Sequence, residues 1–98
     1  MSRLNVNKSL KIWEKAEELI YLGVQTMSKH PRSHAFGAFP IYIERGKNAH
    51  LFDVDGNEYI DYICSFGPII LGHGYPRIVD AVKSQLEKGV LFSLSNEN

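Results

Sequence analysis

The sequence contains a single cysteine and carries no net charge. Cys64 is the only cysteine among 98 residues, so an internal disulfide framework is excluded and a reducing, cytoplasmic environment is expected. Eleven basic and eleven acidic side chains cancel. Without a net positive field, binding to nucleic acid or to an anionic membrane surface is not expected.

Long apolar runs are also missing. Runs such as Ile69–Leu71 are far shorter than the about 20 residues of a membrane-spanning helix, and the first ten residues contain no apolar segment typical of a signal peptide. We therefore expect a soluble protein that does not enter a membrane. The length suits one domain or part of one and is too short for a two-domain enzyme.

Residues that bind metals or act as nucleophiles form no recognisable pattern. The four histidines show neither a helical pair nor a cysteine partner at zinc spacing, and the series Asp53, Asp55, Asn57 lacks the later positions of a calcium loop. Cys64 has no neighbouring base in the sequence, which favours a buried, inert thiol. No metal site is therefore predicted.

The apolar periodicity predicts two helices, at residues 9–22 and 76–88. Trp13 lies on the apolar stripe of the first helix, which favours a role as a core or docking anchor, and Gly23 is expected to end that helix. Residues 25–40 show no periodicity and are predicted to form a loop. Because this loop is long, it is expected to be functional or ordered only against another surface.

Residues 41–63 predict a three-stranded antiparallel meander between the helices. The expected strands are Ile41–Arg45, Ala49–Asp53 and Glu58–Ile63. Gly46-Lys47-Asn48 is the expected first turn, and Asp55-Gly56 is expected to form a two-residue hairpin turn. A loop over residues 64–75 follows, in which glycines on both sides of His73 allow the backbone to approach another group closely.

Three linked motifs carry a family resemblance. They are Pro40 with the strand Ile41–Gly46, the turn Asp53-Val54-Asp55-Gly56 running into Tyr59-Ile60-Asp61, and Gly67-Pro68 followed by Leu71-Gly72-His73 and Pro76. In this order and spacing they resemble the amino-terminal segment of class III pyridoxal-phosphate aminotransferases, in the branch that contains glutamate-1-semialdehyde aminomutase. The resemblance extends from Leu19 to about Phe92, which is nearly the whole chain.

The resemblance implies an α+β fragment, helix, three-stranded antiparallel meander and helix, of a fold type I transferase that uses pyridoxal 5'-phosphate. The implied enzyme is a homodimer that moves an amino group between a small-molecule amino donor and a carbonyl acceptor. In the family, the cofactor lysine, the phosphate-binding loop and the ring aspartate lie downstream. The cofactor domain is therefore expected to be absent from this chain, with no catalytic or cofactor-binding residue in it. Lys83 and Lys88 match no catalytic-lysine context and are expected to be surface charges.

The resemblance also implies residues on the substrate side. In the aminomutases, the first loop carries a substrate-recognising arginine in the pattern Pro-x-Arg-Ala-Phe, whereas this chain has Pro31-Arg32-Ser33-His34-Ala35-Phe36. Alignment on the proline favours Arg32, and alignment on Ala-Phe favours His34. A guanidinium holds a carboxylate with two hydrogen bonds and an imidazole does not, so this departure argues against aminomutase activity. Phe66, where the family often has tryptophan, and its neighbour Ser65 complete the expected set.

Two alternatives remain open. One is the aminomutase itself, which transfers the amino group within one molecule. The other is a truncated, non-catalytic interaction module, in which exposed Ile69, Ile70 and Leu91 would promote self-association. Because the family's first helix and meander pack on a large domain and on a partner subunit, the isolated segment is expected to be only partly folded.

Overall fold

The computed structural model describes residues 4–97 and contains a helix, a three-stranded antiparallel sheet and a second helix, in that order. This confirms the architecture predicted from the sequence. The helices are α1, Asn7–Leu19, and α2, Pro76–Lys88, and the strands are β1, Ile43–Lys47, β2, His50–Asp53, and β3, Glu58–Ile60. The strands are arranged in the order β1-β2-β3.

The first helix ends earlier than predicted. α1 ends at Leu19 because Ile20 takes an extended conformation, and a 3-10 turn over Tyr21–Gly23 follows. In the sequence, the apolar stripe runs on to Ile20 and Val24. Both residues line the same groove as Trp13, but their backbone is no longer helical. The predicted bounds, residues 9–22, are therefore wrong at both ends, since the helix begins at Asn7 and ends at Leu19.

Trp13 anchors the region around α1, as predicted. Only 3% of its surface is exposed, so Trp13 forms the hydrophobic core of this region. The rings of His30 and Phe36 meet it edge-on, with centroids at 5.5 and 6.3 Å. Gly23 lies directly under the indole, since a Cβ there would be 2.8 Å from the ring. The predicted loop over residues 25–40 thus packs on α1, with short 3-10 turns at Met27–Lys29 and Pro31–Ser33.

Both turns of the meander differ from the prediction. Gly46 and Lys47 belong to β1, and the connection to β2 is Asn48-Ala49, with Asn48 at φ 53. Asparagine tolerates this left-handed conformation better than most residues. Four residues, Val54–Asn57, separate β2 from β3, so the expected two-residue turn at Asp55-Gly56 is wrong.

The third strand is shorter than predicted. β3 ends at Ile60 because the Asp61 side chain accepts hydrogen bonds from the backbone N–H groups of Ile63 and Cys64 and turns the chain out of the sheet. Cys64 therefore begins a 3-10 turn, Cys64–Phe66, and is half-buried with a free thiol. The thiol is therefore less buried than the buried, inert thiol expected from the sequence.

The second helix keeps an open apolar face. α2 begins with Pro76 and is followed by Gly89, and its bounds are those expected from the sequence. Ile78, Val82 and Leu86 on its apolar stripe remain 50, 52 and 57% exposed. Among residues 4–97, no helix is both long and apolar enough to span a bilayer.

Candidate functional site

A buried carboxylate organises the turn after β2. Asp53 is completely buried, and its Oδ1 accepts hydrogen bonds from the N–H groups of Asp55 and Asn57. Its Oδ2 accepts from the Asn57 amide and from the Tyr59 hydroxyl, both at 2.8 Å. Burial acts to raise the pKa of Asp53, but the hydrogen bonds from Asn57 and Tyr59 outweigh burial and lower it. Burial and the bond to Asp53 raise the pKa of Tyr59 to about 12.

The same turn caps α1. Asp55 accepts hydrogen bonds from the Lys8 N–H at 2.6 Å and from the Ser9 N–H at 2.9 Å, and also from the Ser9 hydroxyl. Since the N-cap residue Val6 offers no side-chain acceptor, Asp55 supplies both the cap and a negative charge at the positive end of the helix. Burial acts to raise the pKa of Asp55, but the hydrogen bonds from Ser9 and Lys8 outweigh it and lower the pKa.

A second buried carboxylate follows β3. The side chains of Asp61 and His73 are only 7% and 19% exposed, and Asp61 Oδ2 lies 2.7 Å from His73 Nε2. An ionised carboxylate can only accept, so Nε2 carries the proton in this hydrogen bond. The hydrogen bond from His73, followed by that from the Cys64 N–H, lowers the pKa of Asp61.

The loop that carries His73 packs against the first hairpin, which is formed by β1 and β2. Asn48 and His73 exchange two backbone hydrogen bonds, at 2.9 and 2.7 Å. A Cβ on Gly46 would lie 2.6 Å from the His73 ring, and a Cβ on Gly72 would lie 2.9 Å from the Asn48 carbonyl oxygen. The close backbone approach expected around His73 is therefore to the turn between β1 and β2.

A turn of unusual backbone conformation follows Asp61. Cys64, Ser65 and Phe66 all have positive φ, at 49, 53 and 64°, and Gly67 has φ 122°. Left-handed conformations of non-glycine residues are unfavourable and persist where the surroundings fix them. We call Cys64–Gly67 the 64–67 turn. Its Ser65 side chain is exposed, and Phe66 is 83% exposed.

The two expected substrate-side residues of the first loop have weak partners. The Arg32 guanidinium lies 3.9 Å from the Glu17 carboxylate, and both side chains are well exposed. The His34 ring stacks on Phe39 at a centroid distance of 4.7 Å. Within residues 4–97, no hydrogen bond, ion pair or ring contact joins Arg32 or His34 to the 64–67 turn. The described chain therefore leaves these two parts of the expected site without direct contact.

The sequence analysis predicted no contact partners for three residues of this region: Gly46, Asp61 and His73. The signal for Asp61 was an aspartate two residues before a break in a strand pattern, which is typical of a side chain that accepts from the backbone ahead of it. The glycines on both sides of His73 predicted a close approach but did not predict its partner.

The residues described do not fit pyridoxal phosphate. The cofactor needs a lysine for its Schiff base, a carboxylate at its ring nitrogen and donors for its phosphate. All lysines among residues 4–97 are exposed, and Asp53 and Asp61 are fully engaged by groups of this chain. The same residues contain no group of three or more histidine, cysteine, aspartate and glutamate side chains that could hold a metal ion.

Comparison with known proteins identifies the family. The model of class-III aminotransferases matches residues 32–97. Glutamate-1-semialdehyde 2,1-aminomutase of Thermodesulfovibrio yellowstonii is 40% identical over 94 residues, which are 96% of this chain and 22% of that protein. The 3-aminobutyryl-CoA aminotransferase of Cloacimonas acidaminovorans is 41% identical over 96 residues, which are 97% of this chain and 23% of that protein.

A solved structure of a transaminase with pyridoxal phosphate bound has the same fold over this segment. It superposes with a TM-score of 0.80 at 26% identity, covering 96% of this chain and 21% of that chain. The chain thus spans about 22% of the length of the curated relatives it matches. With the family match over residues 32–97, these similarities show that the chain belongs to the class-III aminotransferase family.

Proposed function

We propose that the protein carrying this chain is a pyridoxal-phosphate-dependent aminotransferase that moves an amino group between a small amino donor and a carbonyl acceptor. The observation that carries this proposal is the family match over residues 32–97. When bound, the cofactor supplies an electron sink for the carbon that loses or gains the amino group. Its lysine would come from outside these 98 residues.

In this enzyme, the chain would form part of the wall around the substrate, through Arg32, His34, Ser65 and Phe66. Support comes from their exposure and from the backbone of the 64–67 turn, because strained backbone clusters at functional sites. The Arg32 ion pair with Glu17 is exposed and long, so the guanidinium can exchange that partner for a substrate carboxylate at little cost.

The enzyme is further proposed to be a cytoplasmic homodimer. Open apolar surface on α2, together with Leu91 at 93% and Phe92 at 52% exposure, supports burial against another part of the assembly. The single cysteine of this chain is compatible with a reducing compartment.

An aminomutase is the second candidate, and the similarity to the T. yellowstonii protein favours it. The two activities differ in their need for a second substrate. An aminotransferase consumes an amino donor and a separate carbonyl acceptor, whereas an aminomutase returns an isomer of a single substrate. The histidine at the Ala-Phe alignment of residues 31–36 favours the aminotransferase, because it cannot replace the two-point grip of arginine.

The test uses the full open reading frame that encodes this sequence. We expect the purified protein to be yellow, to have an intact mass several times that of 98 residues, and to exchange an amino group between two different molecules. Isomerisation of one substrate without a second one would replace this proposal by the aminomutase. A colourless protein with the mass of this segment would leave only the non-catalytic interaction module.

A further inference from the structure

The Asp61 carboxylate lies between the 64–67 turn and the loop that carries His73. Its Oδ1 accepts from the N–H groups of Ile63 and Cys64, both at 3.0 Å, and its Oδ2 accepts from His73. The Asp61 N–H donates to the Ala49 carbonyl at 2.8 Å, which ties the residue to the first hairpin. Each oxygen of this carboxylate therefore serves a different neighbour.

No other side chain within residues 4–97 hydrogen-bonds to the backbone of the 64–67 turn. The remaining bonds are local, from the Phe66 N–H to the Ile63 carbonyl and from the Gly67 and Ile69 N–H groups to the Cys64 carbonyl. Three consecutive non-glycine residues with positive φ need an external constraint, because relaxation to negative φ is favourable. Asp61 supplies that constraint.

His73 in turn fixes Asp61. Its backbone is paired with Asn48, and its ring lies where a Cβ of Gly46 would be only 2.6 Å away. His73 cannot shift toward the sheet without displacing β1. The chain of contacts thus runs from β1 through His73 and Asp61 to the turn that carries Ser65 and Phe66.

We propose that Asp61 and His73 are positioning residues that set the placement of Ser65 and Phe66 and so determine how tightly the enzyme binds its substrate. This inference rests on the proposed function. Neither residue needs to touch the substrate, since both side chains are largely buried and already paired with each other. Loss of the pair frees the turn, and Phe66 then leaves the position in which it forms a wall.

The experiment uses the full open reading frame, loaded with pyridoxal phosphate, and compares Asp61→Ala, His73→Ala and His73→Gln. We expect both alanine variants to raise KM for the carbonyl acceptor at least about tenfold, as expected for loss of a charged hydrogen bond, with the cofactor content unchanged. Glutamine keeps an N–H donor, so His73→Gln should recover most of the wild-type KM. If Asp61→Ala does not fold, the two His73 variants still decide the matter.

Asp53→Asn is the matched control. Asp53 is another buried carboxylate that accepts from the backbone, but it serves the turn after β2. Its substitution is expected to lower Tm and leave KM unchanged. A double-mutant cycle adds a second readout, because Asp61→Ala should change KM little further once Phe66→Ala has removed the wall.

The outcomes separate the two proposals. A wild-type enzyme that transfers no amino group overturns both of them. An active wild type whose Asp61→Ala and His73→Ala variants keep KM overturns the positioning role alone. The same follows if Asp53→Asn raises KM equally or if the effects of Asp61→Ala and Phe66→Ala add fully.

Discussion

Asp53, Asp55 and Asp61 each accept hydrogen bonds from backbone N–H groups, and each has a pKa below the ordinary value of 3.8. A carboxyl whose pKa is lowered by folding binds its proton more weakly in the folded state. Its contribution to the free energy of unfolding is therefore complete above pH 3.8 and is lost as the pH falls through the lowered value.

Acid sensitivity is thus predicted at the residue scale. We expect Tm to fall steeply as the pH drops below 3.8, and Asp55→Asn to weaken this fall because the variant has one such carboxyl fewer. Thermal unfolding of the full protein followed across this pH range measures both effects. A variant with exposed Asp80→Asn is the control and should behave as wild type. A wild-type Tm that is constant across the range would contradict the prediction.

Alkaline sensitivity is predicted for Tyr59, whose pKa rises from 10.0 to about 12. The protonated phenol is favoured in the folded state, so its contribution is complete below pH 10.0 and is lost as the pH rises toward 12. Tyr59→Phe should lower the free energy of unfolding at neutral pH by about 1.5–3 kcal/mol, the value of a hydrogen bond to a charged group, and should remove this alkaline loss. Tyr62→Phe, at a side chain that is 87% exposed, should do neither.

Arg32 and His34 can be distinguished by substitution. If Arg32 grips a substrate carboxylate, Arg32→Ala should raise KM for that substrate by about 10- to 100-fold, because a charged hydrogen bond contributes about 1.5–3 kcal/mol. Arg32→Lys should show a smaller increase in KM than Arg32→Ala but should not restore the wild-type KM, since lysine cannot form the two-point contact. Steady-state kinetics of the full enzyme, with His34→Ala measured beside it, decide between the two alignments. A larger effect of His34→Ala would reverse the assignment.

At the scale of elements, the start of α1 depends on a turn far away in the sequence. Lys8 and Ser9 donate their backbone N–H groups to Asp55, which lies in the connection between β2 and β3. Asn57 adds a hydrogen bond to the Asn5 carbonyl at 2.7 Å. The helix and the sheet are therefore held together at this end by polar contacts.

Removal of the cap should loosen α1. Asp55→Ala is expected to lower the free energy of unfolding by about 0.5–2 kcal/mol, the usual cost of losing a helix cap. Asp55→Asn should cost less because it keeps one acceptor oxygen. Hydrogen exchange of the α1 amides in the full protein is the measurement, and α2 provides the internal control. Equal changes in both helices would show that the effect is not due to the cap.

The elements that could be predicted from the sequence are those whose boundaries are set locally. α2 was predicted because proline at its start, glycine at its end and an apolar stripe agree. The end of β1 and the cap of α1 depend on contacts of Asn48 and Asp55 with residues far away in the sequence, which local patterns do not contain. The end of β3 was missed although its signal is local, since Asp61 accepts from the backbone N–H groups of Ile63 and Cys64 just ahead of it. The substrate-side residues came from the family resemblance, and the Asp61 and His73 pair required the structure.

At the scale of the whole molecule, the chain is open. Its radius of gyration is 16.6 Å, compared with about 13 Å for a compact domain of about 100 residues. Apolar side chains on α2 and at Leu91 remain exposed. A groove beside Trp13 contains the buried Tyr42 hydroxyl, which has no hydrogen-bond partner among residues 4–97. These surfaces are what a segment that packs against a larger body would leave uncovered.

The 98-residue polypeptide made alone is therefore expected to be only partly folded. Burial centred on Trp13 offers too little hydrophobic free energy to offset the conformational entropy of the ordered backbone. Thermal unfolding followed by circular dichroism should show a broad, weakly cooperative transition, and the full protein should show a sharp one. A sharp transition of the isolated polypeptide at a similar temperature would show that this segment is an independent folding unit.

The capping of α1 by Asp55 also has a consequence for synthesis on the ribosome. Ser9 is made 46 residues before its acceptor. At about 5–20 residues per second, roughly 2–9 s pass before the carboxylate exists, whereas a short helix forms and melts within about 1 μs. The nascent α1 must therefore exchange between helix and coil very many times. Its amino-terminal turn becomes fixed only when the hairpin of β2 and β3 has emerged.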